Sequence, residues 1–476
     1  MKTKSKNMKR IIAILFVFLS LNIVAQNNVP TYNLEECIDL ALKNNLDLKS
    51  ADLSSQTAEV NFKRSRNALL PNINGSYNIG KTSGRSINPF TNSYIDEKLT
   101  FSNAGLSLNA TVFNGFRLLN QWKMEKLNWR AAEMEKEDQR LNVILNVTLA
   151  YLQVVNTQDL YNIAKNRMQS TEDQLSRLDS MFEEEMGNPA EYRDFQGLKA
   201  NDEANLINSK NSFEDALTVL KELLNVQTDF QVAAIDIPDD FVVYQESLED
   251  VYLQALENMA IVKAGEFRLQ ASKKSVAVAR ANFVPEVSFF ANLNTNYSSV
   301  AQIFNETGSS IIETGDYVTF GGVDYPVFRE QTNFVGEDIS YKDQFENNLY
   351  SALGVQVNIP LFNGFESKNR VALEKIRKEE ASVNLDRIKL QLRSAIQQTY
   401  NDMEAAYKRY QVLQSQNEAY QESMRINEIR FTNGVDNSVS YIISKNNFEN
   451  AKVNLNNVKY EYLLRLKLLD YYTGKN

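Results

Sequence analysis

The tetrapeptide Phe113-Asn114-Gly115-Phe116 occurs a second time, unchanged, as Phe362-Asn363-Gly364-Phe365. Before the first copy, Leu106, Leu108, Ala110 and Val112 alternate with Ser107, Asn109 and Thr111. Before the second, Val355, Val357, Ile359 and Leu361 alternate with Gln356 and Asn358. Period-two alternation describes a strand with one apolar and one polar face. After each copy comes a long stretch without proline, patterned as helix. A strand that turns sharply into a helix needs positive φ, which Asn-Gly supplies.

The match extends on both sides. Leu34-Glu35 through Pro71 repeats as Leu248-Glu249 through Pro285 at a constant offset of 248 − 34 = 214, with Ala41, Asn44, Lys49 and Arg66 answered by Ala255, Asn258, Lys263 and Arg280. Beyond the tetrapeptides the offset is 363 − 114 = 249, and Tyr192, Asn201 and Leu206 meet Tyr441, Asn450 and Leu455. The extra 249 − 214 = 35 residues lie between Pro285 and Phe362. A self-match at fixed offset means one unit written twice. The repeats span 26–246 and 247–476.

Ahead of them, residues 1–25 have the layout of a secretory signal peptide: Lys2, Lys4, Lys6, Lys9 and Arg10, then an apolar run from Ile11 to Leu21, then Ala25 at a cleavage point. About eleven apolar residues are too few to span a hydrocarbon core of ~30 Å. No cysteine lies near the cut, so no lipid anchor is expected. Losing five basic residues takes the formal charge from -9 to -9 - 5 = -14, the wrong sign for a nucleic-acid partner. Histidine is absent and Cys37 is the sole cysteine, which removes the commonest general base, the commonest metal ligand and any internal disulfide. Cys37 aligns with Val251 and reads as a small apolar residue on a buried helix face. The densest carboxylate run, Glu183-Glu184-Glu185, reads as a solvated helix end. No catalytic centre, cofactor site or metal site is expected.

In the first repeat the pattern predicts a helix over 34–67, strands over about 72–80 and 101–113, a long helix over 117–186 and a helix over 191–225. In the second the same order covers 248–282, about 286–295 and 349–361, 366–433 and 438–472. Asn33 suits an N-cap with Glu35 and Glu36 in the first turn, and Pro71 and Pro285 mark the passage from helix to strand. Leu141, Leu145, Thr148, Leu152 and Val155 follow 4-3-4-3 spacing, as do Ile388, Leu392, Ala395 and Thr399, which is coiled-coil periodicity. A helix of about 70 residues extends roughly 105 Å, and no globular core needs one. Each long helix stops at a glycine turn, Gly187-Asn188-Pro189 or Gly434-Val435-Asp436, and returns as a helix half as long. The opening helix of each repeat supplies the missing half.

The four strands carry polar faces of Asn and Ser with almost no charge, which suit a watery lumen better than a dry interior. Their length and alternation are those of strands in a membrane barrel. Four strands cannot close one, so copies of the same chain must cover the edges. Between Asn296 and Glu346 the second repeat carries an insert with nine acidic residues against Arg329 and Lys342, expected as a long solvated loop outside the membrane rather than a cation site.

Taken together, the paired prolines in Leu70-Pro71-Asn72 and Val284-Pro285-Glu286, the paired strand-to-helix turns at Phe113, Asn114, Gly115 and Phe362, Asn363, Gly364, and the two glycine hairpins resemble the TolC family of outer membrane efflux channels over essentially the whole mature chain. The resemblance implies a mainly α-helical homotrimer with a transmembrane 12-stranded β-barrel among outer membrane lipids. A 12-helix coiled-coil tunnel would continue it across the periplasm. It further implies docking to a periplasmic adaptor (membrane fusion) protein and an inner-membrane transporter. The adaptor-facing, gated end falls at Gly187, Asn188, Pro189, Glu191 and Asp194 and at Gly434, Val435, Asp436 and Ser440, although Ser440 stands where the family often places an acid. Efflux of small molecules through a passive duct is the expected function. Type I protein secretion shares the duct, and a periplasmic coiled-coil structural or adhesion protein is the reading from another class.

Overall fold

The computed structural model describes residues 30–87, 92–96, 98–183, 188–235 and 241–475. The expected leader over 1–25 and Gly187 lie outside them. In chain order the elements are β1 (Thr31–Tyr32), α1 (Leu34–Asn44), α2 (Leu46–Asn67), β2 (Asn72–Thr82), β3 (Arg85–Ile87), β4 (Tyr94–Asp96), β5 (Leu99–Phe113), α3 (Arg117–Glu183), α4 (Pro189–Leu224) and β6 (Gln231–Val232) in the first repeat. The second holds α5 (Leu248–Asn258), α6 (Ala260–Arg280), a 3-10 turn (Ala281–Phe283), β7 (Glu286–Ser298), β8 (Gln302–Phe320), β9 (Val323–Asp338), α7 (Tyr341–Asn347), β10 (Tyr350–Asn358), α8 (Glu366–Thr432) and α9 (Ser438–Thr473).

Each opening helix, expected as one piece, is broken once. The breaks fall on repeat-equivalent residues: Asn45 (φ -66°, ψ 126°) and Met259 (φ -64°, ψ 123°) leave the helical region. At the first break the Asn45 side chain accepts from Leu48 N at 2.9 Å and caps the helix that follows. α1 opens on a full capping box, in which Asn33 Oδ1 accepts from Glu36 N and Glu36 accepts from Asn33 N, both at 2.9 Å.

The chain forms two compact units, and each draws on both repeats. Among the described residues, one comprises those within 30–56, 130–266 and 383–475; the other comprises those within 57–129 and 267–382. The repeats are therefore units of sequence, each contributing to both.

The first unit is helical, and its cores are written twice. Val143, Val147, Val154 and Leu220 are buried in one core; Leu392, Ile396, Met403 and Leu469, each 249 residues on, are buried in the other. Cys37 and Ala41 fill the first core where Val251 and Ala255 fill the second, and all four are fully buried. Small residues there let the short helix approach the long one closely. Burial pushes the Cys37 thiol up to about 11, so it packs as a small hydrophobe. Tyr151 and Tyr462, also buried, satisfy their hydroxyls on main-chain carbonyls, donating to Ala233 O (2.7 Å) and Val242 O (2.8 Å).

The second unit carries an antiparallel four-stranded sheet in the order β10-β7-β5-β2. Its register gathers one apolar face: Ile73, Leu108, Ala291 and Leu353 lie side by side, and so do Leu106 and Leu293. The other face holds Asn74, Ser107, Asn292 and Ala352 in one row and Asn78, Asn103 and Asn296 in another. Two rings cross this polar face. A Cβ on Gly80 would meet Phe101 at 2.7 Å, and one on Gly354 would meet Phe290 at 2.8 Å, so each glycine makes room for a cross-strand ring.

Simple alternation fails at two places. A bulge falls between Thr111 and Phe113, so Phe113 rather than Val112 pairs with Val287 on the apolar face. β10 ends at Asn358, short of the expected 361, next to Pro360, whose nitrogen cannot join a ladder. The acidic insert also differs from expectation. It is a long antiparallel hairpin, β8 with β9, turned by Gly321 (φ 61°) and Gly322 (φ 80°) and followed by the short helix α7. Two successive positive φ values suit the right-handed twist of a tight hairpin. Among the described residues no group of three or more His, Cys, Asp or Glu is placed to hold a metal ion.

The packing predicts a contrast along α8. Ile396→Ala, at a fully buried position, is expected to lower unfolding free energy by about 2–5 kcal/mol. Val412→Ala, at an exposed one, is expected to change it by less than about 0.5 kcal/mol. Chemical unfolding in detergent followed by circular dichroism measures both.

Candidate functional site

The strand–helix junctions belong to the unit that carries the sheet. In both tetrapeptides the left-handed residues are the glycine and the phenylalanine after it: φ is 64° at Gly115 and 62° at Phe116, 61° at Gly364 and 64° at Phe365. The asparagine, expected to share the positive φ, acts otherwise. Asn114 O accepts from Arg117 N (3.1 Å) and Asn114 Oδ1 from Leu118 N (3.3 Å), which caps α3. Asn363 O accepts from Glu366 N (3.2 Å), and the Asn363 amide donates to Ser367 Oγ (2.6 Å).

A side chain in the left-handed region costs about 1–2 kcal/mol, and each phenylalanine is braced by its twin. Phe113 and Phe116 meet edge to face at 5.5 Å and 86°, Phe362 and Phe365 at 5.6 Å and 86°, the arrangement that ring quadrupoles favour. Pro71 and Pro285 stand immediately before β2 and β7, where a missing N–H costs the ladder nothing. Arg117, the first residue of α3, pairs with Glu286, the first of β7, at 3.5 Å.

Residues 188–194 and the Gly434 turn belong to the helical unit. Asn188 caps α4 by accepting from Ala190 N (3.0 Å), Pro189 takes the first helical position, and Glu191 lies in the first turn, where the helix dipole favours an acid. Pro189 thus serves as a helix start. α8 ends in a Schellman motif: Gly434 has φ 68°, Gly434 N donates to Phe431 O (3.0 Å) and Val435 N to Arg430 O (2.9 Å).

Val435 follows with 67% of its surface exposed. Asp436 accepts from Asn437 N (2.9 Å) and Arg430 Nε (3.3 Å), and these bonds, the Asn437 N–H first, hold its carboxyl below the usual carboxylate range. Ser440 gives its N–H to the Asn437 cap at 3.1 Å. Asp194 accepts from Ser438 Oγ at 3.3 Å, so the N-terminal ends of α4 and α9 touch.

Two groups behind the turns were not anticipated. Phe195, Phe431 and Tyr441 stack on one another at 5.1–5.8 Å between centroids and form a small core with Leu178 and Leu198. Beside it lies a buried polar cluster. Asp202 accepts from Arg167 Nε and Thr171 Oγ1, both at 2.5 Å. Lys445 Nζ donates to Thr171 Oγ1 (2.6 Å), Ser170 Oγ (3.3 Å) and Arg167 O (3.4 Å), and Arg167 Nη2 donates to Asn446 Oδ1 (2.7 Å). Lys445 and Asp202 are each 1% exposed.

The one sequence signal for these groups was the alignment of Tyr192 with Tyr441. It misleads, because Tyr441 is fully buried and Tyr192 only partly. Lys445 aligns with Gln196 and Asp202 with Ala451, so the cluster arises from divergence between the repeats and is invisible to their similarity.

A family model described as outer membrane efflux protein matches residues 37–226 and 251–475. An uncharacterized protein of Haemophilus influenzae is 21% identical over 397 residues, 81% of this chain and 86% of that one. The cation efflux system protein CusC of Escherichia coli O157:H7 is 22% identical over 312 residues, 64% of this chain and 63% of that protein, so the match spans less than two thirds of it. Among solved structures, the outer membrane protein VceC of Vibrio cholerae superposes with a TM-score of 0.72 at 15% identity, covering 92% of this chain and 96% of that one.

The junctions predict unequal responses to one substitution. Gly115→Ala and Gly364→Ala both force a Cβ into positive φ, costing roughly 1 kcal/mol. Only the Cβ on Gly115 meets a neighbour, Val284 Cβ at 2.8 Å. Gly115→Ala is therefore expected to destabilise by about 1–3 kcal/mol more, read as the difference between the two variants' unfolding midpoints.

Proposed function

Because this chain belongs to the outer membrane efflux protein family, whose members are channels rather than enzymes, we propose that it is the passive outer membrane duct of a tripartite export system. Three copies close a 12-stranded barrel and continue it as a 12-helix periplasmic tunnel. A periplasmic adaptor and an inner-membrane transporter engage the turns at Gly187, Asn188, Pro189, Glu191 and Asp194 and at Gly434, Val435, Asp436 and Ser440. Exposed Val435 offers the adaptor an apolar contact. Small solutes are the cargo, a reading supported by the likeness to a cation efflux protein.

The observation that carries this is the state of the sheet. Its apolar face is bare, with Ile73 61% and Leu353 77% exposed, and among the described residues β2 and β10 each pair on one side only. Water tolerates neither an apolar face of that extent nor two open edges. A bilayer covers the face, and neighbouring copies pair the edges. Among the described residues no helix is long and apolar enough to cross a membrane.

Purified protein in detergent is expected to have the mass of three chains and to give steady single-channel conductance in planar bilayers; a monomer without conductance would overturn the proposal. Leu353→Arg is expected to cost about 2–4 kcal/mol near mid-bilayer and to deplete the protein from carbonate-washed outer membranes. Asn74→Arg, on the polar face, is expected to leave its amount unchanged.

A further inference from the structure

We propose that Lys445, with Thr171, Asp202 and Arg167, forms a proton-titrated joint that sets how tightly α9 is held against α3 and α4 behind the two glycine turns. Lys445 is a positioning residue in this scheme: it acts through the packing of helices, and the solute never needs to meet it. The inference rests on the duct reading only for its consequence, conduction. The joint itself is a property of one chain.

The geometry requires a coupled unit. Lys445 on α9 reaches Thr171 on α3, Thr171 reaches Asp202 on α4, and Arg167 on α3 bridges Asp202 to Asn446 on α9. Three helices from two hairpins therefore share one set of hydrogen bonds. The aromatic stack of Phe195, Phe431 and Tyr441 lies in the same region and ties α4 to α8 and α9. Two apolar side chains would have filled the space of Lys445 and Asp202 without the cost of desolvating charge.

The charges around the ammonium are unequal to its burial. Asp202 on α4 attracts it and Arg167 on α3 repels it. Glu428 on α8 and Glu449 on α9 act more weakly, and the neighbouring Tyr441 is itself pushed up to about 12 by burial. The balance goes against the charge: burial lowers Lys445 to about 8 from the ordinary 10.5. The packed arrangement thus favours neutral Lys445, while a loosened one lets it keep its proton until near 10.5. Stability from this group is complete above 10.5 and is lost as pH falls through 8. Neutral Lys445 still donates to Thr171, so the hydrogen bond survives deprotonation and only the buried charge disappears. The joint is tight on the alkaline side and slack once protonated.

The test places spin labels at Ser176→Cys on α3 and Asn447→Cys on α9, both exposed, in a Cys37→Val background, with labelled protein diluted in unlabelled protein so that pairs within one chain report. Pulsed dipolar distances are measured between pH 7 and 10. The wild-type distance is expected to lengthen or broaden by about 2 Å as pH falls through 8. Lys445→Met is expected to hold the short distance at every pH, and Lys445→Arg the long one. A wild-type distance that does not move with pH, or a Lys445→Met variant that titrates as the wild type does, overturns the joint. Bilayer conductance over the same pH range separates the two proposals: distances that titrate in a protein that never conducts support the joint and sink the duct.

Discussion

A main-chain N–H or C=O left without a partner costs several kcal/mol once it is out of water, and the antiparallel ladder is how the sheet unit meets that constraint. Among the described residues β5 and β7 are paired on both sides, and β2 and β10 on one. The register gathers Asn74, Ser107 and Asn292 on one face and Ile73, Leu108 and Leu353 on the other. A slip of one residue would exchange the two faces. The Val112 bulge and the end of β10 before Pro360 show the ladder being stopped where each strand gives way to its tetrapeptide turn.

The helical unit depends on a different economy, in which one packing solution is used twice. Residues 249 apart occupy the same buried positions, from Val143 and Leu392 to Leu220 and Leu469. Where the repeats part company, the difference falls on particular contacts. Ser367 completes the amide of Asn363, whereas Leu118 stands in its place beside Asn114. Lys445 and Asp202 have no charged twins at all.

Much of this was legible in the sequence because periodicity and self-similarity report on repeated environments. The strand faces, the long helices and the end of α8 at Gly434 follow from alternation, heptad spacing and Gly placement. Three kinds of feature were not legible. The breaks at Asn45 and Met259 carry neither Gly nor Pro, so no local breaker announces them. The β8–β9 hairpin mixes polar and apolar residues on both faces, and a ribbon without a buried side has no pattern to read. The polar cluster joins Arg167, Asp202 and Lys445 across three helices, and spacing along one helix says nothing about partners on another.

The breaks in the opening helices reach beyond geometry. Each leaves a segment of eleven residues, α1 or α5, shorter than a helix that can sustain itself in water. Such a segment has no independent existence. It is helical because Cys37 and Ala41, or Val251 and Ala255, are wedged against a long neighbour, and its amides are shielded from solvent exchange only while that wedge holds.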